Sequence, residues 1–156
     1  MDFLRALLAN KVLIISVSSW ALAQILKTII DFAITKEFTL ERLVGAGGMP
    51  SCHAATVCSL ATGSALCYGA DSFEFAVTSI LAFIVMYDAR GVRRETGTQA
   101  VVLNQIIEYF SKLDESKKHI KFSEEKLKEL VGHTPLQVVC GAALGIAFAI
   151  IIYQFL

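Results

Sequence analysis

The chain is expected to be an all-α, multi-pass helical membrane bundle, with about four spanning helices and amphipathic helices between spans three and four. Three observations carry that expectation. Hydrophobic residues make up 55% of the 156 residues and the mean hydropathy is +0.61, too apolar for an ordinary soluble domain. Val12–Ile34 and Thr134–Leu156 are each long enough to cross a hydrocarbon core, which takes about 20 apolar residues. Charge is segregated, since residues 89–133 hold sixteen of the 28 acidic and basic side chains.

The elements follow in order. Met1–Ala9, then Lys11 and a long apolar run with no small-residue cleavage site, reads as a retained first helix rather than a secretory signal. Spans are expected over 12–34, 54–70, 73–88 and 134–156, in a single integral membrane domain with a polar helical insertion over 89–133. The second span is rich in Ala, Ser, Thr, Gly and Cys, and small side chains let helix backbones approach closely, so it is expected inside the bundle. Within the insertion, Val101, Val102, Ile106, Tyr109 and Leu113 recur at helical spacing, predicting an amphipathic helix over Glu95–Lys112. Ser123–Leu130 opens on a capping residue with acids early and lysines late, predicting a short second helix, and Asp114–Lys121 joins the two as a charged loop.

Four crossings put the Leu40–His53 loop and the Asp88–His133 segment on one side of the membrane. That side carries Lys36, Arg42 and nine Lys or Arg of the second segment, against Arg5 and Lys11 opposite, so the positive-inside rule favours a cytoplasmic face. The four cysteines form no Cys-x-x-Cys pair, and neither a disulfide nor a zinc site is expected.

Three polar islands at the edges of apolar segments hold the candidate chemistry: Gly47–His53, Asp88–Ala100 and Gly132–Gly141. Histidines and arginines together suit phosphoryl transfer. An imidazole can attack phosphorus or give up a proton near neutral pH, and a guanidinium offers paired donors to phosphate oxygens. Arg90, Arg93 and Arg94 lie three and four apart, so an unbroken helix would place Arg90 on a face with the other two. Lys27 stands inside the first span with Gln24 and Asp31 on its face. It either forms a self-contained pair with Asp31 or binds a phosphate or headgroup. His119, in a solvated charge run, reads as a surface residue.

Pro50-Ser51-Cys52-His53 resembles the Pro-Ser-Gly-His element of the type 2 phosphatidic acid phosphatase superfamily, which includes bacterial acid phosphatases and vanadium-dependent haloperoxidases. The divergent membrane branch is closer still. Its pattern Gly-Gly-Met-Pro-Ser-Ser-His, then Asp-x-x-Gly-Val-Arg-Arg with Gly-x-Gln-Ala, then Gly-His-Thr-Pro is matched by Gly47–His53, Asp88–Ala100 and Gly132–Pro135, with Cys52 as a substitution.

The resemblance implies a nucleophilic His133, a general acid His53, and a residue four positions after the nucleophile that orients it, here Gln137 rather than an acid. It implies phosphate binding by Arg90, Arg93, Arg94 and Ser51, with Lys27 standing in for the first-motif lysine, since Lys36 and Arg42 are one position too close and lack the proline. The expected function is hydrolysis of a lipid or isoprenoid phosphate monoester or diphosphate through a phosphohistidine, with no metal and no cofactor. The alternative is a non-catalytic membrane protein that binds phosphate headgroups or oxyanions. The expected partners are the lipid bilayer and a phosphate ester, with no nucleic acid, and the short chain leaves room for a homodimer that completes the bundle.

Overall fold

The computed structural model describes residues 2–36, 48–113, 127 and 133–156, and every described element is helical. The helices are α1 (Asp2–Leu8), α2 (Lys11–Thr35), α3 (Cys52–Tyr68), α4 (Phe73–Arg90), α5 (Val92–Leu113) and α6 (Pro135–Tyr153). Four of the long helices begin where the sequence supplies an acceptor for their first N–H groups. Asn10, Ser51, Ser72 and Thr134 cap α2, α3, α4 and α6, each accepting from the N–H three residues on.

The ends are set just as locally. The second span runs two residues ahead of expectation, because Ser51 starts it and Gly69, at φ +98°, stops it in a conformation that glycine adopts without strain. Gly91 separates α4 from α5 with ψ −92°, well outside the helical region. The face that an unbroken helix would give Arg90, Arg93 and Arg94 is therefore interrupted, with Arg90 in the last turn of α4 and Arg93 and Arg94 in the first turn of α5. The expected helix Ser123–Leu130 lies outside the described residues apart from Leu127. That residue's N–H donates to Asn104 Oδ1 and its carbonyl accepts from Asn104 Nδ2, both at 3.0 Å, which ties it to α5.

Among the described residues, three helical runs are long and apolar enough to cross a membrane by length and composition: α2, Phe73–Tyr109 and α6. The fourth member of the bundle is α3, whose 17 residues reach about 25 Å at 1.5 Å per residue. It packs against α2, α4 and α6, while α2 also meets α6 and α5 leans on α4. The interior position expected for the small-residue segment is the one it occupies.

Polarity runs inside out relative to a soluble protein. Large apolar side chains such as Ile25, Ile29, Phe83, Ile84, Val139 and Ile150 face outward, whereas Ser16, Ser19, Ser59 and Ser64 are buried. Lipid tails are as apolar as leucine, so burial of large side chains does not bring such helices together; close packing and hydrogen bonds do. The hydroxyls of Ser16, Ser19 and Ser59 donate to helix carbonyls. Ser16 donates to Val12 O at 2.7 Å, and Ser19 reaches across to Ala55 O at 3.3 Å, joining α2 to α3.

The tightest approach is between α6 and α3. A methyl group built on Gly141 would collide with the carbonyl oxygen of Ser51, and one built on Gly145 with that of Ala55. Gly141 and Gly145 form a Gly-x-x-x-Gly pair on one face of α6, the spacing that lets two backbones touch. Gly141→Ala and Gly145→Ala are each expected to destabilise the detergent-solubilised protein by about 1–3 kcal/mol through overpacking. Ala143→Leu, on the exposed side of α6, should melt within about 0.5 kcal/mol of wild type. Thermal unfolding of the three variants side by side checks the contrast.

Candidate functional site

The start of α3, the end of α4 and the start of α6 meet at one end of the bundle, held by two backbone hydrogen bonds. Ser51 N–H donates to Gln137 O at 3.0 Å, and His133 N–H donates to Ala89 O at 3.2 Å. The first places the turn before α3 against the first turn of α6. The second fastens His133 beside the last turn of α4, one residue from Arg90.

Both histidines follow from this arrangement. His53 is the second residue of α3 and is half-buried; His133 directly precedes the cap of α6 and is only 2% exposed. Their rings meet edge to face, with centroids 5.8 Å apart and planes inclined at 64°. Cys52 Sγ lies 3.8 Å from His53 Nδ1. Among the described residues no three His, Cys, Asp or Glu side chains converge as a ligand set.

Gln137 organises the α6 end. Its side-chain oxygen accepts the Thr134 N–H at 3.0 Å, while Thr134 Oγ1 accepts the Gln137 N–H at 3.3 Å, a reciprocal capping box. The same Oε1 lies 3.3 Å from His133 Nδ1. A backbone N–H can only donate, so the atom facing it is the amide oxygen, and an amide oxygen can only accept. Nδ1 of His133 must then carry the hydrogen. In the neutral ring this leaves the lone pair, and with it any nucleophilic or basic character, on Nε2.

The other sequence-selected residues divide. Ser51 is fully buried, and its hydroxyl accepts the Ala54 N–H at 3.3 Å as the α3 cap, so its own proton remains to donate. Lys27 is 3% exposed and its side-chain carbons Cγ and Cδ come within 3.0 Å of where a Cβ on Gly48 would stand. Gly48 has φ +84°, so the backbone and the lysine stem both require glycine there. Lys27 thereby joins the turn that leads to His53. Arg90 is exposed at the end of α4, and Arg93 and Arg94 follow it into α5. Gly47, Gly132 and His119 lie outside the described residues. A cavity of about 380 Å³ lies toward the opposite end, lined by residues including Asn10, Tyr68, Phe73 and Glu74, and none of the candidate residues borders it.

Residues 8–148 match a family model described as the Divergent PAP2 family. The chain belongs to that family. A relative from Bacillus subtilis (strain 168), the uncharacterized membrane protein YuiD, is 40% identical over 154 residues, covering 96% of this chain and 98% of its own. No solved structure matches. Together with the apolar helices, the relative makes this an integral membrane protein of the Divergent PAP2 family.

Two contributors to the site escaped sequence reasoning. The Gly141/Gly145 pair was readable from its spacing. The Ala89 carbonyl was not, because no side chain advertises it. Gln137→Leu should remove the acceptor shared by Thr134 N–H and His133, at a cost of about 1 kcal/mol from the lost cap. Gln137→Glu, which keeps an acceptor there, should melt near wild type. Ring-nitrogen spectra of labelled histidine should lose the Nδ1–H preference at His133 only in the leucine variant.

Proposed function

We propose that this member of the Divergent PAP2 family hydrolyses a phosphate monoester or diphosphate carried on a lipid or isoprenoid, through a phosphohistidine on His133, as its resemblance to acid phosphatases and haloperoxidases implies. The observation that carries the reading is the contact of two imidazoles at two helix N-termini, with the tautomer of the buried one set by Gln137. The free N–H groups at the starts of α3 and α6 make that end of the bundle favourable to an anion. Lys27 and Arg90 add positive charge beside it, with Arg93 and Arg94 on the adjoining helix.

In this mechanism Nε2 of His133 attacks phosphorus and the bond to the ester oxygen breaks, the departing oxygen taking a proton from protonated His53. Water then attacks the phosphohistidine while neutral His53 takes its proton. Cleavage of the N–P bond restores His133 and releases phosphate. In-line transfer needs room, since nitrogen, phosphorus, leaving oxygen and acid nitrogen in sequence span about 7 Å at contacts of roughly 3 Å. The ring centroids are 5.8 Å apart, so one ring must turn aside. His53 is the half-exposed partner and His133 the one held by backbone and Gln137, which assigns the movement to His53.

Gln137 also favours a second reading. A neutral amide orients the imidazole but does not stabilise imidazolium as a carboxylate does. With Arg90 exposed, the same end of the bundle serves a protein that binds phosphate headgroups or other oxyanions without turnover.

The site is proposed to face the cytoplasm, with α4 crossing from the Gly69–Ser72 turn to Arg90. Single cysteines at Asp71 and Glu95, both exposed, in a background lacking the native four should be labelled from opposite sides of the membrane. Labelling of both from one side refutes that topology. For the chemistry, the detergent-solubilised protein should release phosphate from a lipid phosphate without added divalent metal and be inhibited by vanadate. His133→Ala should abolish release, and His53→Ala should slow it about 10²–10⁴-fold, most for poor leaving groups. Gln137→Glu should raise the rate by holding the imidazolium. Release that survives His133→Ala overturns the mechanism; no release, with tight oxyanion binding, selects the second reading.

A further inference from the structure

Gln24 has no part in the geometry described so far. It is 7% exposed, and its Oε1 is buried with no hydrogen-bond partner among the described residues. Such an acceptor carries a free-energy penalty that a leucine in the same place would avoid, and a buried polar atom left this way calls for an explanation. Its surroundings supply one. Ala23, immediately before it, packs with Cys52 and Ala55, and Lys27, one turn after it, lies against Gly48. The turn of α2 that bears Gln24 therefore faces the Gly48–Ala55 segment, which carries His53.

A buried ammonium and a buried carbonyl acceptor one turn apart are complementary to a group that has both negative charge and a hydrogen of its own. We propose that Gln24 accepts a hydrogen bond from the P–O–H of a phosphate group whose charge Lys27 meets, and so selects protonated phosphate over oxyanions that carry no proton. The inference rests on the phosphate-site reading above and deepens it. Inorganic phosphate keeps at least one proton at neutral pH, and a phosphate monoester, with its second pKa near 6, keeps one in part. Sulfate and phosphodiesters keep none. Toward them the carbonyl presents lone pair against lone pair, while a proton-bearing oxygen completes the acceptor. The substrate class this favours is a phosphate monoester over a diester, and phosphate over sulfate.

The test uses the full-length protein in detergent, with inorganic phosphate and sulfate as probes and dissociation constants taken by calorimetry. Wild type should bind phosphate at least about tenfold more tightly than sulfate, a conservative figure for a site that loses a hydrogen-bond partner. Gln24→Leu should melt no lower than wild type and lose that preference, with phosphate bound more weakly and sulfate no more weakly than before. Lys27→Met should weaken both anions together. Gln24→Met removes the acceptor with a more adaptable side chain and serves if the leucine variant misfolds. An unchanged phosphate-to-sulfate ratio, as expected if Gln24 only holds a water, overturns the inference, as does an equal loss for both anions. Because binding is read without turnover, an inactive protein with the preference intact would sink hydrolysis alone. An active one whose ratio survives Gln24→Leu would sink this inference alone.

Discussion

The contact on which the rest depends is backbone against backbone, where Gly141 and Gly145 of α6 lie on the Ser51 and Ala55 carbonyls of α3. In lipid, side-chain burial gives helices little reason to associate, so van der Waals contact at close range and the hydrogen bonds it permits must do so. Close approach at Gly141 brings the Ser51 N–H to the Gln137 carbonyl, and that bond aligns the first turns of α3 and α6. The edge-to-face histidines follow, since each is fixed within two residues of a cap on one of those turns. A bundle with bulkier residues on that stripe would keep both motifs and hold them apart.

Around this contact the interior is small and polar in a way that only a membrane protein sustains. Ser16 hydrogen-bonds to a carbonyl of its own helix and Ser19 to one across the α2–α3 contact, which satisfies both and leaves the helices close. Gln24 differs in kind. Its buried amide oxygen has no donor among the described residues, which weakens the fold, and buried polar residues of spanning helices concentrate where a ligand or ion enters. Gln24 and Lys27 both lie along the part of α2 that meets the turn before His53.

The capping box at α6 shows how one residue can serve fold and chemistry together. The Gln137 side chain satisfies the N–H that begins the helix, and the same oxygen sets which nitrogen of His133 carries hydrogen. Glutamate would do both and add charge, so glutamine keeps the geometry while giving up electrostatic support for an imidazolium. On the proposed reading, that trade is where turnover and simple anion binding part company.

Much of the fold was legible from local signals. The capping residues, the small-residue composition of the interior span, the apolar lengths and the helical period in the insertion depend on neighbours within a few positions, and they set the described helices to within three residues. The three polar islands likewise announced His53, His133 and the arginines. What local signals could not decide was who meets whom. The break at Gly91, which parts Arg90 from Arg93 and Arg94, depends on a backbone angle that glycine permits but does not require. The anchoring of His133 by the Ala89 carbonyl and the packing of Lys27 on Gly48 depend on distances between segments far apart in the chain. Sequence by itself determined the helices, their caps and the residue types able to handle phosphate. Only the tertiary structure decided which of them share a site, because that turns on how closely two backbones can approach.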